Sequence, residues 1–519
     1  MNRTSERGLH PDGGLDHYDE WVPLSRRPPA LLAALALLGA VTACTSTAVG
    51  DPTGSPTNQH SPTSEHVPEP PPPQQRNYLK LTAENGRESP GTVVTGVEDA
   101  VYNYAPAVML ENGKVRTWWC SQMGSAKPNG DDILYSEGPS LDGPFSTARA
   151  VLSGSGGSFD AMHTCDPSLI KIGDTYYLYY TGASRDNHAN GSSVGVATSK
   201  DGTNWTRANG GQTILGPAGD IVRENAYGAG QQSAIYLDGW IYLLFTDTTG
   251  YAAASNGAGQ YVLRSKDPVF TTGVEALTPQ GFKPVEGTNK ARTRSVVEAY
   301  SSDWMWIEAA SAFAIAHETE TGTTITFWNK EFTRHPYEAV VIPGPWTEGP
   351  GLVRTPEGHA PINTADPCER VSIDVLRSTA KDGSGAPTNI RHFGIDALGL
   401  DGCATAEEAK VLNGFSMPSP ERTADVVVGG KIVRFERGSV AAKYASGMLA
   451  RRPKIADSLK VAVRVPAGVP AVRSPSRQLG LLVNNKLMIM NALEAAELNS
   501  SEVTLVSQEE WDRFERLTT

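Results

Sequence analysis

Positive charge is in short supply in this chain. Lys and Arg number 45 against 57 Asp and Glu, for a net charge of −12. Nucleic-acid binding, which needs concentrated Lys and Arg against phosphate, is therefore excluded as an expectation. Cysteine is scarce as well, with five in 519 residues. None stands in a Cys-x-x-Cys pair or accompanies a His-x-x-x-His spacing, which argues against a structural zinc site. The chain also lacks a long hydrophobic run, since Ala30 to Val41 is too short to remain as a bilayer-spanning helix. Glycine (52) and proline (36) are abundant, and 39% of residues are hydrophobic. That mixture suits a turn-rich β protein with a real core and an additional non-globular stretch.

The N-terminal region reads as a targeting signal. Arg26 and Arg27 precede the apolar run, which ends in Val41-Thr42-Ala43-Cys44. This order of basic flank, apolar core, small residues and cysteine resembles the bacterial lipobox. The resemblance implies removal of residues 1–43, lipidation of Cys44 and attachment to the outer face of the plasma membrane. An ordinary signal cut after Ala43 is the alternative. Residues 44–76 are a Ser/Thr/Pro-rich tether ending near Pro70 to Pro73, too polar to bury anything and extended by its prolines. Setting Cys44 aside, Cys120, Cys165, Cys368 and Cys403 can pair in three ways in an exported protein. Proximity in sequence favours Cys120 with Cys165 and Cys368 with Cys403.

Between about residue 77 and Cys403 one pattern returns at intervals of about 60 residues. Its best copy runs Asp166-Pro167-Ser168-Leu169-Ile170-Lys171-Ile172, a Gly173-Asp174 turn, then Thr175-Tyr176-Tyr177-Leu178-Tyr179-Tyr180. Two β-rich runs around a tight turn form a hairpin. A third strand is expected at Ser193 to Ser199, and Lys200 to Trp205 turns the chain into a fourth. Other copies begin at Ala105-Pro106, Gln231-Gln232, Arg294-Ser295 and Glu348-Gly349-Pro350. Five four-stranded units predict an all-β, five-bladed β-propeller over residues 77–403. An alternative is a β-sandwich of unrelated hairpins. Residues 404–519 are expected to form a small β-rich C-terminal module, with strands at Lys431 to Phe435 and Leu479 to Val483.

The Asp-Pro-Ser-Leu head, the turn containing Asp174 and the Tyr-rich second strand resemble the arabinanase and levansucrase type of propeller. Glycoside hydrolase families 43, 62, 117 and 130 belong to that group. The resemblance implies a glycan-cleaving enzyme on a cell-wall or environmental polysaccharide, or a catalytically silent glycan-binding relative. Innermost strands of a propeller run side by side, so their heads meet in a ring: Ala105, Asp166, Gln231, Arg294 and Glu348. Glycoside cleavage needs one carboxylic acid and one carboxylate, and Asp166 and Glu348 are the ring's two. The resembled families use three acids: a base, a residue that tunes the acid, and the acid. Asp166 matches the tuning position. Glu348 matches the acid's Glu-Gly-Pro but in blade five, where the families place it in blade three. Ala105 stands where the base is expected, and Asp99 in the preceding loop is the substitute candidate. His163, Gln231, Arg294, Tyr104 and Trp346 are expected to contact substrate. Glu137-Gly138-Pro139 falls at the outer end of blade one and is set aside. No cofactor or metal is expected, and the protein is expected to be a monomer with polysaccharide or oligosaccharide and the membrane as partners.

Overall fold

A computed structural model describes residues 78–97, 100–184, 191–380, 387–405 and 408–517. Cys44, the two segments before residue 77, and Asp99 lie outside the described residues. No helix among the described residues is long and apolar enough to cross a membrane.

The protein is an all-β propeller followed by a smaller β module. Blade one is an antiparallel meander of Ala100–Glu111, Lys114–Met123, Asp132–Gly138 and Arg149–Leu152. Blade two follows as His163–Ile172, Thr175–Ala183, Ser193–Ser199 and Thr206–Arg207. The hairpins are set locally. Asn112-Gly113 and Asp238-Gly239 hold positive φ at both positions (52°, 74° and 50°, 78°), the turn whose twist matches that of the flanking strands. Blade three, which opens on Ala229–Leu237, carries a fifth strand, because Glu275–Thr278 folds back on Gly281–Pro284.

Blade four begins at Ser302–Ile307, which corrects the sequence reading. This copy of the repeat was expected to begin at Arg294-Ser295, which lies in the connection before that strand. The extra hairpin of blade three and the long connection after it displace the repeat. Blade five comprises Glu348–Arg354, Arg370–Ala380 and Pro387–Leu398, and the N-terminal strand Thr82–Glu88 supplies its outer edge. Pairing the first strand of the described residues with the last blade closes the ring. Arg87 secures that closure through ion pairs of 2.7 Å to Asp374 and 2.9 Å to Asp396.

The core is divided among the blade interfaces. One apolar cluster joins blades one and two around Trp118 and Tyr180, and others join two to three around Tyr179 and Phe245 and three to four around Trp304 and Phe313. Blades four and five share Phe327, Tyr337 and Phe393, and Trp119 and Leu376 lie where five meets one. Most large aromatics are spent here: Trp304 is fully buried and stacks on Phe313 at 4.8 Å between centroids. Disulfides join Cys120 to Cys165, across blades one and two, and Cys368 to Cys403, beside the C-terminal module. That module has a sheet containing Lys431–Phe435, a second containing Leu479–Val483, and a terminal helix Gln508–Arg513 with a Ser507/Glu510 capping box.

Candidate active site

The heads of the innermost strands of blades one, two, three and five are bulges. Ladder register shifts between Tyr104 and Ala107, Cys165 and Ser168, Gly230 and Ser233, and Glu348 and Pro350. At these bulges Ala105, Asp166, Gln231 and Gly349 take left-handed φ of 46°, 46°, 48° and 53°. Such a bulge re-aims side chains, here toward the propeller axis. Asp tolerates the conformation, whereas it costs Ala roughly 1–2 kcal/mol. Ala105 thus keeps the backbone of an Asp-Pro head without its carboxylate. Space is also tight at Gly349, because a Cβ there would sit 3.0 Å from the Ala105 Cα.

These heads line an axial cavity of about 30 Å³, together with Ser301, Ser302 and Asp303. Its floor is sealed by Arg354, which reaches across the channel. The guanidinium pairs with Asp303 at 3.1 Å and donates to Ser233 Oγ at 3.0 Å and the Trp304 carbonyl at 2.9 Å.

Three carboxyls converge above this floor. Burial, then the charges of Asp166 and Asp131, push the Glu348 carboxyl up to about 8. Among the described residues no hydrogen bond or ion pair reaches it. Burial pushes Asp166 up to about 6, against hydrogen bonds that include one from the Tyr227 hydroxyl at 3.2 Å. The Tyr104 phenol is held well above its usual range by burial and by Asp131, Glu348 and Asp166, which places it among all three acids. Its hydroxyl lies 3.2 Å from the Cys165 sulfur. Asp131 Oδ2 lies 3.1 Å from His163 Nδ1, which also sits 3.1 Å from the Asp131 N–H. Gln231 Oε1 is buried without a donor, so a substrate hydroxyl directed there would satisfy it.

Asp166, Glu348, His163, Gln231 and Tyr104 are therefore brought together, while two expected contacts are not. Arg294 lies over the Trp328 ring at 5.5 Å and donates to the Phe332 carbonyl, away from the axis. Blade four presents Ser302 and Asp303 instead. Trp346 lies two residues before Glu348 but lines a separate groove on blade five. Asp131 was missed because it sits in the turn between the second and third strands of blade one, off the repeat. The available signal was its doublet with Asp132 before a β-rich run. One trio of ligand-type residues closes within 4.8 Å among the described residues, Cys120, Asp131 and Cys165. Both its sulfurs are taken by the disulfide, so it cannot hold a metal in this state.

No family model matches the chain. Over 94 residues it is 33% identical to a probable arabinan endo-1,5-alpha-L-arabinosidase A of Aspergillus flavus, and equally to that of Aspergillus oryzae. The match covers 18% of this chain and spans only 28% of each of those proteins. Among solved structures the chain is similar to Zg3597, a family 117 glycoside hydrolase from Zobellia galactanivorans, with a TM-score of 0.41 and 13% identity over 61% of this chain and 91% of that one. It is also similar to the catalytic domain of a family 62 α-L-arabinofuranosidase from Coprinopsis cinerea, at TM-score 0.38 and 13% identity over 61% and 97% of the two chains.

Proposed function

We propose that this chain is a surface-anchored enzyme that cleaves glycosidic bonds in a polysaccharide or oligosaccharide. The observation that carries the reading is the unpartnered Glu348 carboxyl at the axis, pushed up to about 8 beside two further acids. It is protonated at neutral pH and can deliver its proton to the leaving glycosidic oxygen. Burial keeps it protonated, and the charges of Asp166 and Asp131 add to that effect. Asp131, oriented by His163, replaces the carboxylate missing at Ala105. It takes a proton from a water whose oxygen attacks the anomeric carbon, so one C–O bond forms as the glycosidic C–O bond breaks. The arabinan-cleaving relatives, matched over a short segment, make arabinan the first substrate to try. The lipobox at Cys44 supports anchoring on the outer membrane face.

The test is release of reducing ends from a panel of arabinan, xylan and mannan by the purified protein. E348Q and D131N should each lose on the order of 10²-fold or more of the rate. Cleavage that survives both substitutions would remove this site assignment. A second reading, a silent glycan-binding propeller, is favoured by Ala105 alone. It predicts glycan retention with no sugar released by the parent protein. Anchoring is tested by C44S, which should release the protein from the membrane fraction and abolish incorporation of labelled fatty acid.

A further inference from the structure

The axial cavity is too small for a sugar chain, so a glycan placed at Glu348 must continue elsewhere. The same end of blade five holds a groove of about 350 Å³, within the roughly 300–1,000 Å³ range of ligand sites. Gly91, Thr92, Trp346, Thr379, Asn389 and Arg391 line it. Strand pairing places one of its walls next to the strand that carries the acid. Glu348 pairs with Ser378, the neighbour of Thr379, and the Thr347 N–H donates to the Ser378 carbonyl at 2.8 Å.

The groove is equipped for a ring carrying hydroxyls. The Trp346 indole N–H donates to the Thr319 carbonyl at 2.6 Å, which holds the indole in one orientation. An amphipathic ring fixed in this way is a stacking platform for a sugar's C–H face. Arg391 Nε is buried without an acceptor, while another of its nitrogens donates to Glu88 at 2.7 Å and to the Ser89 carbonyl at 2.9 Å. The Glu88 carboxylate compensates the guanidinium charge, so this side of the groove suits a neutral ligand and not a second carboxylate. The carboxylates of Asp166 and Asp131 at the axis repel anions from the same side.

We infer that this groove is a subsite for a neutral sugar ring adjoining the linkage that Glu348 addresses, so the substrate is a neutral glycan extending over the face of blade five. The inference rests on the glycan-cleaving reading of the axis. The test uses the full chain carrying E348Q, titrated calorimetrically with arabinan, xylan and mannan oligosaccharides of increasing length and with oligogalacturonides. Affinity should step up with the residue that reaches the groove. Added W346A should erase that step, a loss of roughly three- to tenfold for the longer probes, and leave the shortest unchanged. G91W provides an independent variant, since Gly91 is exposed and has open space around an added Cβ. It should block the same step without disturbing Trp346. Unchanged affinity at every length in both variants, or tighter binding of oligogalacturonides, overturns the subsite. Those results beside intact cleavage by the parent sink the groove alone. No binding of any glycan, with no cleavage by the parent, sinks the function and the subsite with it.

Discussion

Glu348 should make the protein less stable as pH rises, and E348Q should reverse that loss. The carboxyl moves from its ordinary value of 4.5 to about 8 in the folded protein. A raised folded-state value means the neutral form is favoured on folding. Stability is then fully present below about 4.5 and drains away as pH climbs through about 8. The full shift corresponds to about 5 kcal/mol. Solvent reaching the half-buried side chain reduces what unfolding reports to roughly 2–3 kcal/mol. Gln keeps the shape and cannot ionise. Thermal or urea unfolding of parent and E348Q should therefore nearly coincide at pH 4.5. At pH 9 the variant should be the more stable by that amount, while its cleavage is lost. Equal stability of the two proteins at both pH values would refute a Glu348 held neutral by its surroundings. Greater stability of the parent at pH 9 would show instead that its carboxylate is stabilised.

Four further outcomes follow from the same geometry. The rate of glycan cleavage should fall along an alkaline limb near pH 8, and D166N should move that limb toward lower pH, because Asp166 raises Glu348; a limb that does not move removes Asp166 from the tuning role. A105D should move the alkaline limb upward through an added charge beside Glu348, read from the pH profile of cleavage. G349A should destabilise by at least 1–2 kcal/mol in urea unfolding, since it combines a left-handed alanine with a 3.0 Å approach to Ala105. Replacing Cys120 and Cys165 by Ser removes a link of sequence separation 45. Loop closure of that length is worth up to about 4 kcal/mol, and activity should fall further than stability alone explains, because Asp131 is held beside that bridge.

Much of the fold is written in short stretches of sequence. Asp238-Gly239 states its turn through left-handed backbone preference, and Thr175 to Tyr180 states a strand through β-branched and aromatic residues. The repeat of hairpins is legible for the same reason, since each blade is built from contacts close in sequence. Arg294 shows where that logic stops. Counting a regular interval placed it at the axis, but a locally added hairpin in blade three moved the frame, and Asp303 occupies the blade-four position.

The site divides along the same line. Asp166 and Glu348 were readable because each precedes a residue pattern that marks a bulged strand head. Asp131, Arg354 and the blade-five groove were not. Asp131 stands in a turn far from any head, yet the rotation between blades carries it beside Glu348. Arg354 closes the channel floor only because three other blades present acceptors to it. By itself the sequence determined the hairpins, the bulges and two acids, all of which depend on neighbours a few residues away. Tertiary structure alone decided which acids share one pocket, and it is burial there, reinforced by the charges of Asp166 and Asp131, that makes Glu348 an acid at neutral pH.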